Sequence, residues 1–352
     1  MTAIPTTERP RIDPKALIRD LAAAPGRHLL HREQARWMVA DLLEDRYAPE
    51  QAGAILALMA QRHEAAQEIA GAVDALLDHT PALQICTDDA VDIGGTGGDG
   101  GRTFNISTVA ALVVAGAGVP VVKHGNRAVS GRAGSADLIE ALGADPIRRS
   151  HPDIVGADLD RCGFAFIATP AHYRFPERLS ALRRALGIPS LFNLAGPLAH
   201  PAGLRRQVVG VARPWQIRDM ADAARELGRS RAFIVHGLAG IDEISPAGET
   251  VVIRVDGGAV DRMTVSAADF GLAACSLDDL AGGDAARNAA ICQAILAGSR
   301  GPGTDAVVMA AALTLMAAGR ARGFTEGAAM ALHALTSGGA RQVLMRFLGQ
   351  DR

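Results

Sequence analysis

A chain of 352 residues, 49% of them hydrophobic, is long enough for two domains, or for one with a large extension, and excludes a small scaffold that needs stapling. Its formal charge of −2 excludes any global attraction to nucleic acid or anionic lipid, so an anion site must be built locally. Cys86, Cys162, Cys275 and Cys292 are scattered without a CxxC pair, and no run approaches the ~18 apolar residues of a membrane span, so the expectation is a soluble, unexported, cytoplasmic protein with reduced thiols.

From Pro14 to about Leu83, apolar residues recur at three-and-four spacing: Leu17–Leu21, Trp37–Leu42, Ile55–Met59 and Ile69–Leu77. That periodicity predicts a helical domain over 1–83 without strands. From Val91 the pattern changes. Short apolar runs at 119–122, 164–167, 208–211 and 232–235 alternate with helical stretches such as 135–142 and 215–227. The fold class is therefore α/β: a small, mostly helical domain, then a larger domain with a central, largely parallel sheet flanked by helices.

The segment from Asp92 to Arg127 carries the chemistry. Glycines at 94, 95, 97, 98, 100 and 101 remove Cβ atoms and let backbone N–H groups converge on an anion. Asn105, Ser107 and Thr108 follow at the expected start of a helix through Val109–Ala115, where unpaired amides and the helix dipole favour phosphate. Gly116 and Gly118 should end that helix. A buried strand at Val119–Val122 should then deliver Lys123, His124, Asn126 and Arg127 to a loop, so that cations and an amide face one pocket. Lys123 and Lys15 are the only lysines, and the compact ammonium of Lys123 can pair with phosphate. Either half alone reads as an ordinary turn or helix cap; together they read as a phosphate grip. GxxxxGK[ST] is absent, and where a dinucleotide loop needs an acid the chain has Lys123, which disfavours ATP and NAD.

Farther along, Asp242 and Glu243 follow the apolar run Ala232–Val235 and the glycines Gly237 and Gly240. This places both carboxylates on a loop at a strand's end, where open α/β sheets bind ligands. Adjacent carboxylates beside a pyrophosphate site suit Mg²⁺, which takes hard oxygens, few protein ligands and substrate phosphates. A solvated acidic turn is the other reading of the pair.

GTGGDG at 95–100, FNIST at 104–108 and KHGNR at 123–127 resemble the anthranilate phosphoribosyltransferase family. The likeness continues through SADLIEALG at 135–143, LRRALGIPSLFNLAGPL at 182–198, VHGLAGIDEIS at 235–245 and LAGGDAARNAAI at 280–291, and covers nearly the whole chain. The resemblance implies transfer of phosphoribosyl from phosphoribosyl pyrophosphate to an aromatic amine, anthranilate, in tryptophan biosynthesis. It implies a helical domain completed by a segment near 177–200, an α/β domain over 84–176 and 201–352, and an active site in the cleft between them. It further implies two Mg²⁺ per monomer, a homodimer, and neither nucleic acid nor membrane as partner. Position by position, Gly95, Gly98, Asp99, Thr103, Asn105, Ser107, Thr108, Lys123 and Ser135 would grip phosphoribosyl pyrophosphate. Gly95, Asn126, Arg183 and Pro197 would hold anthranilate; Ser107, Asp242 and Glu243 would hold metal. No residue is assigned as an acid or base.

Three positions depart from the family pattern. After Phe164–Ile167 the chain reads ATPAHYRFPERLSAL, about two residues longer than expected, so His172 has no secure counterpart in the family's His-Pro pair. Ala310 stands where an asparagine is usual, and Arg287 replaces the acid of GGDAxEN. The donor machinery is intact and the acceptor wall altered. That asymmetry leaves open a paralogue acting on a different aromatic amine. A nucleoside phosphorylase and a non-catalytic binder of nucleic acid or protein are the more distant alternatives.

Overall fold

The computed structural model describes residues 10–23, 30–85, 88–98, 100–128 and 133–351. Asp99 and Cys86 lie outside them. Four helices open the chain: α1 Pro14–Ala23, α2 Arg32–Leu43, α3 Pro49–Arg62 and α4 Ala66–Asp78. They are joined in one apolar core through Leu17, Met38, Ile55, Met59, Ile69 and Val73. Gly71 permits the α2–α4 crossing, since a Cβ there would stand 2.2 Å from the Arg32 carbonyl oxygen.

The rest alternates strands and helices: β1 Asp92–Gly95, α5 Ile106–Gly116, β2 Val121–Gly125, α6 Ser135–Ala141, α7 Pro146–Arg149, α8 Pro152–Cys162, β3 Phe164–Ala168, α9 Thr169–His172, α10 Glu177–Leu186, α11 Leu191–Leu198, β4 Arg206–Gly210, α12 Gln216–Glu226, β5 Arg231–Gly237, β6 Thr250–Asp256 and β7 Ala259–Val265. Four helices close it: α13 Ala285–Leu296, α14 Pro302–Ala317, α15 Phe324–Thr336 and α16 Gly339–Leu348.

Strands β1-β4-β5-β6-β7 form one sheet and β2-β3 another. Backbone bonds around Val91 join them: its N–H donates to Pro120 at 3.0 Å and its carbonyl accepts from Val122 at 3.2 Å. Pairing is parallel from β3 across to β5. The far edge differs from a purely parallel reading, because β6 and β7 form an antiparallel hairpin on β5. Its two-residue turn, Gly257 and Gly258, has positive φ at both positions (56° and 93°), the geometry that matches strand twist.

Alternate residues serve opposite cores, as strand geometry requires. Val208, Phe233, Val235 and Val252 face α5 and the closing helices, whereas Val209, Ala232, Ile234 and Ile253 face α12 and the opening helices. Leu179, Leu191, Phe192 and Leu194, from α10 and α11, join this second core. Helix α5 is enclosed along nearly its whole length, which accounts for its uniformly apolar sequence after Thr108.

Candidate active site

The glycine loop leaves β1 at Gly95, whose register partner on β4 is Gly210. Across both strand ends passes the loop that follows β5, and it brings Asp242 and Glu243. A Cβ on Gly95 would meet the Asp242 carboxylate at 2.4 Å; one on Gly210 would meet the Asp242 carbonyl oxygen at 1.6 Å. Only glycine at these paired ends lets the acidic loop lie so close. The Gly97 N–H donates to Asp242 Oδ2 at 2.7 Å, and the Ser107 N–H at the head of α5 donates to Glu243 Oε1 at 3.3 Å. The two acids are thereby pinned to the glycine loop and to the positive end of a buried helix.

The remaining donor-side residues lie around this junction in different ways. Gly98 has φ 89°, with Pro189 and Ala212 each 4.0 Å from the place of its missing Cβ. Thr103 forms an isolated antiparallel bridge with Ala281. Asn105 precedes α5; its amide donates to the Ala133 carbonyl at 3.1 Å and accepts from Asn288 at 2.9 Å. Asn288 in turn accepts from the Gly283 N–H at 2.8 Å, so the GGDAARN segment is tied to the head of α5. Thr108 is fully buried, and its hydroxyl has no hydrogen-bond partner among the described residues. Ser135 opens α6, and its hydroxyl accepts from the Asn126 N–H at 3.1 Å and donates to the Asn126 carbonyl at 3.3 Å.

Two expectations about β2 need correction. The strand runs on through Gly125, so Lys123 and His124 belong to it and are buried, instead of being presented by a following loop. Lys123 donates to the Ile93 carbonyl at 2.7 Å and lies near Asp92 and Glu243. Burial raises Asp92 and lowers Lys123, and the attraction between them opposes both changes. Arg127 does not face the pocket either: it pairs with Asp137 at 2.9 Å and Glu140 at 2.6 Å.

Sequence reasoning missed Asp92, Thr169, Gly210 and Asn288. The Thr169 hydroxyl has one proton, which goes to the Gly125 carbonyl at 2.9 Å, so it accepts from His124 Nε2 at 3.2 Å. His124 accordingly carries a proton on Nε2. Burial, reinforced by His200 5.7 Å away, pulls its pKa down to about 3. An acid opening an apolar strand, as Asp92 does, was the one available signal for that group.

On the acceptor side, Asn126 is exposed and its side-chain oxygen accepts from the Arg127 N–H at 2.8 Å. Pro197 lies within α11, its carbonyl bonded to Gln207 at 3.0 Å. Arg183 packs against both Phe175 and Phe192, with its Cζ 5.1 and 4.9 Å from the ring centres. His172 is buried and bonded to the Ser150 carbonyl at 2.9 Å, which keeps its ring turned into the protein.

Mg²⁺ fits the donor set at the junction. Asp242 and Glu243 offer hard carboxylate oxygens beside the glycine loop and the head of α5. Among the described residues no cluster of three or more His, Cys, Asp or Glu side chains could enclose a metal. A cation here would share its coordination with substrate and water, the habit of Mg²⁺.

Comparison with known proteins agrees with this architecture. Residues 15–80 match the helical bundle domain of a glycosyl transferase family, and residues 87–341 match that family's α/β domain. An anthranilate phosphoribosyltransferase of Rhizobium meliloti (strain 1021) is 42% identical over 332 residues, covering 93% of this chain and 96% of the relative. The enzyme of that name from Thermus thermophilus superposes with a TM-score of 0.87 at 37% identity, over 96% of this chain and 99% of that one. The Saccharomyces cerevisiae enzyme, solved in complex with PRPP and Mg, superposes at 0.84 with 28% identity, over 96% and 97% of the two chains.

Proposed function

Because this chain belongs to the anthranilate phosphoribosyltransferase family, we propose that it transfers the phosphoribosyl group of phosphoribosyl pyrophosphate to the amine of anthranilate, releasing pyrophosphate. One observation carries the reading: the glycine loop, the head of α5 and the Asp242–Glu243 pair meet within hydrogen-bond distance.

An arylamine is a weak nucleophile, so the barrier lies in departure of pyrophosphate and charge growth on the ribose. Mg²⁺, expected as two ions per subunit, would supply Lewis-acid neutralisation of that leaving group when bound. Asp242, Glu243 and the Ser107 hydroxyl would hold it. The backbone amides at Gly95 and Gly98, with Asp99, Thr103, Asn105, Ser107, Thr108 and Ser135, would orient the diphosphate and ribose. Lys123, buried and bonded to the Ile93 carbonyl near Asp92 and Glu243, would act through those carboxylates and not by touching the diphosphate. Asn126 would take the amine, Arg183 the carboxylate and Pro197 the ring. No side chain here is required as a general base.

The helical unit would comprise residues 1–83 completed by 177–200, consistent with the shared core of α10 and α11 with the opening helices. It would also carry a homodimer interface, and the enzyme would work in the cytoplasm. No helix among the described residues is long and apolar enough to cross a membrane. The deciding experiment mixes the protein with Mg²⁺, phosphoribosyl pyrophosphate and anthranilate and follows loss of anthranilate fluorescence. Tight donor binding without turnover would redirect the search to another aromatic amine.

A further inference from the structure

Arg183 lies on α10, Phe175 on the connection from α9 to α10, and Phe192 in the first turn of α11. The two phenyl rings meet edge to face, with centres 5.3 Å apart and planes at 84°, and the guanidinium lies within 5.1 Å of both ring centres. No ion pair to Arg183 forms among the described residues, and burial alone lowers its pKa. The flanks of this unit lead to the site. Tyr173, two residues before Phe175, stacks on His124 at 5.4 Å, and Pro189, three residues before Phe192, lies 4.0 Å from the missing Cβ of Gly98.

We propose that Phe175 and Phe192 hold Arg183 as a pre-oriented, partly dehydrated anchor for the acceptor's carboxylate, so that Phe175 is a positioning residue setting acceptor affinity. The proposal rests on the acceptor assignment above. Two aromatic rings offset the cost of drying a cation without neutralising it, as a carboxylate neighbour would. They also leave its edge N–H groups available to a planar carboxylate in forked geometry. Rotamer freedom is surrendered on folding, before the acceptor binds, which favours capture. Phe175 stands in the stretch whose length departs from the family pattern, so this is a feature of the chain's own acceptor wall.

The test uses full-length Phe175→Ala, Phe175→Leu and Phe175→Tyr, each alone and the first also with Arg183→Ala. Phe175→Ala should raise KM for anthranilate about five- to tenfold, the effect of losing one partly desolvated cation–π partner. It should leave kcat and KM for phosphoribosyl pyrophosphate within about twofold. Phe175→Tyr should restore KM, whereas Phe175→Leu, which fills space without a π face, should not. With Arg183 already removed, Phe175→Ala should add no further loss. An unchanged KM in Phe175→Ala, full rescue by Leu, or an undiminished effect without Arg183 would overturn the proposal. Should the alanine variant unfold, the Leu and Tyr variants decide it by the same criterion. Wild-type protein that never consumes anthranilate would instead remove the functional reading on which the proposal stands, and that failure is visible before any variant is made.

Discussion

Gly210→Ala tests the geometry on which catalysis depends. Gly210 needs no unusual backbone angle; it is glycine because the Asp242 carbonyl oxygen occupies the space of a Cβ, only 1.6 Å from where that carbon would stand. To reach even 3.0 Å the acidic loop must retreat by about 1.4 Å. The Gly97–Asp242 hydrogen bond of 2.7 Å and the Ser107–Glu243 bond of 3.3 Å cannot both survive such a shift. Displacement of an aligned group by about 1 Å costs on the order of 100-fold in rate. Gly210→Ala should therefore lose at least about 100-fold in turnover and need more Mg²⁺ for half-maximal rate. Crowding should lower stability by about 1–3 kcal/mol. Gly156→Ala is the matched control: on α8 its new methyl would meet only Ile85, at 3.6 Å, and activity should be retained. Steady-state fluorescence assays across a Mg²⁺ titration, with thermal melts of both variants, read the outcome. A folded Gly210→Ala enzyme with near-normal turnover and unchanged Mg²⁺ demand would refute the claim that the acids work from this position.

The double variant Asp242→Asn, Glu243→Gln should keep the fold and lose turnover, with an altered Mg²⁺ requirement; an unaltered metal titration would contradict the metal assignment. Thr108→Val should leave the free protein as stable or more stable by about 1 kcal/mol, because it deletes a buried hydroxyl without a partner, yet weaken phosphoribosyl pyrophosphate. Calorimetry showing undiminished donor affinity would remove Thr108 from the grip. His124 and His200 are held at about 3 by burial, whereas unfolded histidines titrate near ~6.5, so the unfolded chain binds more protons between these values. Their contribution to stability is complete above about pH 6.5 and is lost as pH falls toward 3, by roughly 1.4 kcal/mol per pH unit for each ring. His200→Gln should flatten that slope by one proton's share in urea titrations between about pH 7.5 and about pH 5; a slope equal to wild type would contradict the burial argument.

Much of this was legible because the relevant signals are local. Periodicity marks the opening helices, and short apolar runs mark β3, β4 and β5 within a few residues. The β6–β7 hairpin was legible too, since TVVIRVD and AVDRMTV flank a glycine pair, but apolar-run counting overlooks strands whose alternate residues are polar. Lys123 shows the limit. A lysine after an apolar strand reads as a loop cation, and nothing in the neighbouring residues says that the strand continues through it. Its burial depends on Ile93, Asp92 and Glu243, two of them about 30 residues upstream and one 120 downstream.

The placement of that lysine changes what the donor site must do. A cation at the pocket mouth would attract pyrophosphate and retain the product just as strongly, lowering KM without raising the rate. A buried Lys123 bonded to Ile93, near Asp92 and Glu243, would instead temper the charge of those carboxylates where the diphosphate is proposed to bind. Direct recognition would then fall to the amides of the glycine loop and the head of α5, which lose no side-chain entropy in binding. Rigidity on the donor side follows from backbone pinned at paired strand ends. The proposed acceptor side relies instead on side chains from α10, α11 and the connection before them, Arg183, Phe192 and Phe175.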